Sequence, residues 1–349
     1  MRENALHMER LDRKQFFAKL APLDRDQVGM VLWNLYWRGT KDVRQRIESQ
    51  LDPEQARRSR AALESAPDPQ ETLDEVGEFV TLARSGAYMG GDRRVKPSER
   101  TRWRFTFRRL IKDCEVALAD PDPTPGARAM ELLVDLAHDT KGTYYFRSED
   151  PIEAARIVIS DEVEVLWSKL RSQMDFDSFA RRSSRQLVRW ESEFGWTRTG
   201  FGAVAEKERT LAQVLKPLLP TRDAWLTFAD RYLEALDALA SAAPRQRHDG
   251  WRRDFDLQER ARNLGEWHSM LLEHLFGGDG EDRLDRLVGH AALRGPEVTF
   301  VAARLAQRRG DLPTARRMAT EMVQQQPGNR DFLAFAQELG APLPESSRR

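Results

Sequence analysis

Apolar side chains recur with the period of an α-helix almost from one end of the chain to the other, and this periodicity constrains the fold more than any other feature. In 24–37 they fall at Val28, Val31, Leu32, Leu35 and Tyr36, the i, i+3, i+4, i+7 stripe of one helix face. Pro22, Leu23 and Asp24 read as a turn with an acidic N-cap, and Gly39 as the helix stop, where glycine adopts a left-handed backbone at little cost. Residues 41–51 repeat the stripe with Val43, Ile47 and Leu51. Further helices are expected at 127–138, 151–173, 176–194, 223–242 and 254–276. Thr101, Trp103, Phe105 and Phe107 alternate like a strand, but Leu110, Ile111 and Cys114 continue the apolar face at helical spacing, so a helix is expected there. Only 143–146 stays strand-like.

Breaks in this pattern suggest the domain organisation. They fall at the proline-bearing 66–70, the glycine loop 85–97, and 195–202, 243–250 and 277–280. Residues 120–126, with three prolines in seven residues, make the best boundary. The chain is therefore expected to be all-α, built of stacked antiparallel helix pairs in the manner of an α-solenoid. Its parts would be an N-terminal helical domain (1–119), a linker (120–126), a central helical region (127–250), a C-terminal helical region (251–340) and a disordered tail (341–349).

Residues 296–329 align without gaps to a 34-residue unit of paired helices. Small Ala303 and Ala315 fall at its eighth and twentieth positions, where two helices cross closely. Gly310 and Asp311 fall at the turn, Pro327 at the stop and Asn329 at the end. The stretch resembles the tetratricopeptide repeat. It departs from that pattern at Thr299, Ala302 and Ala306, where large residues are usual, and at Met322, where a small one is. A weaker preceding unit centres on Asn263, Leu264 and Gly265. Residues 331–339 would form a cap laying Phe332, Leu333 and Phe335 over the last groove. The resemblance implies a groove for a protein partner, here assigned to Arg304, Arg308, Arg316 and Arg317. The loop 195–202 adds Trp196, Arg198 and Phe201, residue types that dominate binding hot spots.

Charge patterning supplies an alternative. The chain carries 56 basic and 56 acidic residues and is formally neutral, yet 47 of the basic residues are arginine. Arg93, Arg94, Lys96, Arg100, Arg102, Arg104, Arg108, Arg109 and Lys112 face a single acid, Glu99, within twenty residues. Trp103, Phe105 and Phe107 are interleaved, which is how proteins combine phosphate neutralisation with base stacking. Arg181, Arg185 and Arg189 recur every four residues and add a positive ridge. The bland reading is a solvated helix face, with the acidic stretch 149–164 as its counter-charge.

Other chemistries lack a motif. No nucleotide-binding glycine motif and no nucleophile elbow is present, and His268 and His274 are six residues apart, off the i, i+4 spacing of a zinc helix. Neither an enzymatic activity nor a cofactor or metal is expected. The single cysteine, Cys114, and a charged start without the apolar run of a leader point to the cytoplasm. The sequence thus favours a non-catalytic scaffold or adaptor for a protein partner, with nucleic acid as the alternative ligand and no membrane role.

Overall fold

The computed structural model describes residues 12–38, 43–44, 47–48, 51, 67–90, 92–193, 201–242 and 250–343. The chain divides into two compact units, residues 1–66 and 67–349. Every regular element among the described residues is helical, and no helix there is long and apolar enough to cross a membrane.

The first unit contains α1 (Arg13–Leu20) and α2 (Arg25–Arg38). Asp12 and Gln15 close a capping box on α1. No residue of α2 is buried. Trp33 stacks on both Tyr36 and Trp37, and the Tyr36 hydroxyl donates to Glu48 at 2.6 Å. Gly39, expected to stop this helix, lies outside the described residues.

The second unit opens with α3 (Pro69–Arg84), the short α4 (Pro97–Arg100), α5 (Trp103–Leu118) and α6 (Thr124–Asp139). Asp68 caps α3 by accepting from the Gln70 and Glu71 amides. Helices α3, α5 and α6 pack on one another around Phe79, Phe107, Trp103 and Phe146, with Trp103 and Phe146 stacked at 4.1 Å. The strand-like 143–146 is irregular, and its Phe146 is wholly buried in this cluster.

The 120–126 stretch is not an interdomain linker. Residues 124–126 begin α6, and the turn before them folds α6 straight back onto α5. A Cβ at Gly126 would lie 2.6 Å from the Ala117 carbonyl carbon, so glycine permits the close crossing. Pro123 at the N-cap and Pro125 in the first turn sit where a missing N–H is harmless, so they start a helix instead of separating domains.

Next come α7 (Pro151–Ala155), α8 (Ile159–Gln173), α9 (Phe176–Ser192), α10 (Leu211–Leu215) and α11 (Arg222–Ala242). The expected helix 151–173 is split, because Arg156 adopts a left-handed backbone (φ 54°). The free end of α8 is capped from a distance: the Glu208 carboxylate accepts from the Ile159 and Ser160 amides at 2.6 and 2.9 Å. The chain finishes with α12 (Gly250–Asn263), α13 (Gly265–Leu275), α14 (Glu281–Val288), α15 (Pro296–Arg308), α16 (Leu312–Gln325) and α17 (Arg330–Glu338). Leu264 breaks the helical run between α12 and α13, so Asn263 to Gly265 form a junction, not the middle of one repeat helix.

From α9 onward the main packing steps along the chain, α9 on α11, α11 on α13, α13 on α15, α15 on α16 and α16 on α17, while α12 bridges α9 and α15. One core runs from Val76 to Leu305, and a second, smaller one fills the α15–α17 end.

Candidate partner cleft

The C-terminal end is built by short-range signals. Pro296 occupies the first turn of α15. Gly310 turns the chain with φ 81°, and Asp311 caps α16 by accepting from the Thr314 amide at 3.1 Å. Ala303 and Ala315 are fully buried where the two helices meet. Met322 is also fully buried, supplying bulk where the repeat pattern has a small residue. Asn329 caps α17 through the Asp331 and Phe332 amides. Phe332 and Phe335 then close around Phe300, both at 5.3 Å between ring centroids.

Between α13, α15 and α17 lies a cleft of about 540 Å³. Phe300, Val301 and Phe332 form its apolar floor, and Glu266, Glu297 and Asp331 bring carboxylates to it. Glu266 is held by the Thr210 hydroxyl and the Gln213 amide, each at 2.8 Å, while Asp331 is exposed. Arg262 also lines it, so the cleft offers an apolar strip beside three carboxylates and one guanidinium. None of these carboxylates stood out in the sequence, because Glu266 and Asp331 are 65 residues apart and carry no motif of their own.

Of the four arginines assigned to this groove, Arg308 and Arg316 tie helices together. Arg308 donates to the Leu272 carbonyl at 3.0 Å and covers the Phe276 ring, tying α15 to α13. Arg316 donates to the Leu339 carbonyl at 2.7 Å, fixing α16 to the end of α17. Arg304 lies 5.7 Å from the Phe300 ring centroid, Arg317 is exposed, and none of the four lines the cleft. Trp196 and Arg198 lie outside the described residues. Phe201 is 95% exposed, and the loop end beside it is anchored by the Val204 amide donating to Glu153 at 3.0 Å.

The 93–112 segment is divided between core and surface. Trp103 and Phe107 are buried, leaving Phe105, 52% exposed, as the one aromatic of the three on the outside. Arg104 and Arg108 lie over its ring at 4.9 and 5.9 Å. Arg94 pairs with Asp92, Arg100 donates to the Val95 carbonyl, and Arg108 to the Ala155 carbonyl at 2.9 Å. Arg109 pairs with Glu75 and with Asp113. Arg93, Lys96, Arg102, Arg104 and Lys112 remain exposed and have no carboxylate at ion-pair distance among the described residues.

The acidic stretch 149–164 is not the counter-charge of this segment. Asp161 and Glu164 both pair with Arg209, and Asp150 with Lys141. The reason is topological: α5 meets α7 through the Ala155 carbonyl, Asp161 and Glu164 of α8 face Arg209 in the 204–210 turn, and Glu162 of α8 meets another acid of α5, Glu115.

The ridge on α9 is real but mostly neutralised. Arg181 pairs with Asp177 and Glu234, Arg182 with Glu131, and Arg189 with Asp135. Arg185 has no carboxylate at ion-pair distance among the described residues. No group of three or more His, Cys, Asp or Glu there is arranged to hold a metal. Cys114 is buried, and burial pushes its thiol well above the ordinary range. The chain matches no family model, and no curated protein or solved structure is significantly similar to it.

Proposed function

We propose that this protein is a non-catalytic helical scaffold that binds a protein partner, and that the α13–α15–α17 cleft takes a segment of it. The observation that carries the reading is the cleft: an apolar floor of Phe300, Val301 and Phe332 beside the carboxylates of Glu266, Glu297 and Asp331. A partner segment with apolar side chains and a lysine or arginine would complement it. On this reading α15 and α16 are a tetratricopeptide-like pair and α17 is its cap. A cytoplasmic location belongs to the same proposal and is supported by the single, buried thiol.

The surface of α5 favours a second reading, nucleic-acid binding, because a half-exposed Phe105 sits beside Arg104, which has no carboxylate at ion-pair distance among the described residues. One experiment addresses both. The tagged full-length protein is purified from its native host at moderate salt, and the eluate is read by mass spectrometry and by absorbance at 260 and 280 nm. A stoichiometric protein is expected, weakened about fivefold or more by Asp331→Arg with helicity unchanged. A partner held equally by Asp331→Arg would remove the cleft from the proposal. An eluate holding nuclease-sensitive nucleic acid and no stoichiometric protein would replace it with the α5 reading.

A further inference from the structure

Two recesses flank the exposed face of α9. One, of about 380 Å³, lies against α6. The other, of about 870 Å³, is bounded by α9, α11, α12 and the end of α6. Arg185 and Arg189 line both, so the two form one trough centred on the arginine ridge.

We propose that this trough is a second docking site, for a peptide segment of a partner protein that presents one Asp or Glu to Arg185 and apolar side chains to the floor beside it. Charge decides the first half of this. Arg181, Arg182 and Arg189 are matched by Asp177, Glu131 and Asp135 at 3.1, 2.6 and 2.6 Å, whereas Arg185, between them and exposed, has no such partner among the described residues. A single guanidinium left open accepts one carboxylate in a bidentate pair. A phosphate dianion would meet the Glu131, Asp135 and Asp139 carboxylates along the α6 side, against Arg185 as the one ridge arginine unpaired among the described residues. A nucleic-acid backbone needs a row of free cations, and this row is already spent on internal pairs.

The apolar half rests on the larger recess. Val188, Ala235, Ala238 and Leu239 line it, with Phe255, 56% exposed, at its side, while Glu193, Asp256 and Glu259 bring carboxylates to its edge, each at more than ion-pair distance from Arg185. An apolar surface beside one open cation is the usual anatomy of a hot spot, where exclusion of water strengthens the ion pair. The site shares no lining residue with the C-terminal cleft, so either can be right without the other.

The test is a selection of random 12-residue peptides displayed on phage against the immobilised full-length protein, with the recovered peptides measured by fluorescence anisotropy. Peptides carrying an acidic residue next to apolar ones are expected. Arg185→Glu should weaken them about tenfold or more, Arg185→Lys much less, and Phe255→Ala severalfold. Both side chains are exposed, so these variants keep the fold. The proposal is overturned if no acidic peptides emerge, or if those that do bind Arg185→Glu as tightly as the parent. Peptides lost on Asp331→Arg but indifferent to Arg185→Glu would support the C-terminal cleft and overturn the trough. Binding of a single-stranded oligonucleotide that Arg185→Glu abolishes would assign the ridge to nucleic acid and overturn it too.

Discussion

Glu162 on α8 sits in an unfavourable place for a carboxylate. Burial, together with the neighbouring charge of Glu115, raises its pKa from the ordinary 4.5 to about 8, and its Oε2 is buried without a hydrogen-bond partner. The native state therefore holds a proton that the unfolded chain releases between those two values, so Glu162 subtracts stability as pH rises through that window. His268 acts at the other end. It is buried against the Tyr232 hydroxyl at 2.7 Å, and burial lowers its pKa to about 3, so unfolding takes up a proton below its ordinary 6.5. Glu162→Gln should change stability little at pH 5 and raise it at pH 9 by up to about 5 kcal/mol, given about 1.4 kcal/mol for each of the roughly 3.5 pK units. Urea denaturation at the two pH values reads this directly, and an equal effect at both would refute the buried-proton account.

Among the elements, two glycines in helices separate propensity from packing. Gly77 in α3 has nothing within 4 Å of the position a Cβ would occupy, whereas at Gly126 that atom would strike the backbone of Ala117 and Leu118. Alanine is the better helix former at both. Gly77→Ala should therefore stabilise by about 0.5–1 kcal/mol. Gly126→Ala should destabilise by about 1–3 kcal/mol, because α6 must lift off α5. Denaturation midpoints check the pair, and a stabilised Gly126→Ala protein would mean that the close crossing is wrong. The same scale shows why α15–α17 were legible in advance. Pro296, Gly310, Asp311, Pro327 and Asn329 act on the chain within a few residues of themselves, so their signals survive without a tertiary context. The split after Ala155 was not legible, since nothing in its residue type marks Arg156 for a left-handed backbone.

Among the described residues of the 67–349 unit there are two cores. The smaller gathers Ala303, Ala319, Met322, Phe332 and Phe335, and meets the larger along α15, whose Val301 and Leu305 belong to the other side. The terminal helices are thus able to open without exposing the main core. Phe335→Ala, which empties a site 6% exposed, should cost about 3–5 kcal/mol locally. Native-state hydrogen exchange should then quicken across 312–338 and stay unchanged across 103–192. Faster exchange throughout both regions would show a single cooperative unit instead.

The all-helical character, most helix spans and the C-terminal hairpin with its capping helix were readable from the chain alone, because periodicity and capping depend on residues at most a few positions apart. The roles of the arginines were not. Arg109 finds Glu75, Arg182 finds Glu131 and Arg189 finds Asp135 across separations of 34, 51 and 54 residues. The carboxylates of the C-terminal cleft likewise come from three helices far apart in sequence. Which cations are neutralised, and where a cleft opens between helices, depends on how distant elements pack. A run of residues along one helix carries no record of the helix that will lie against it.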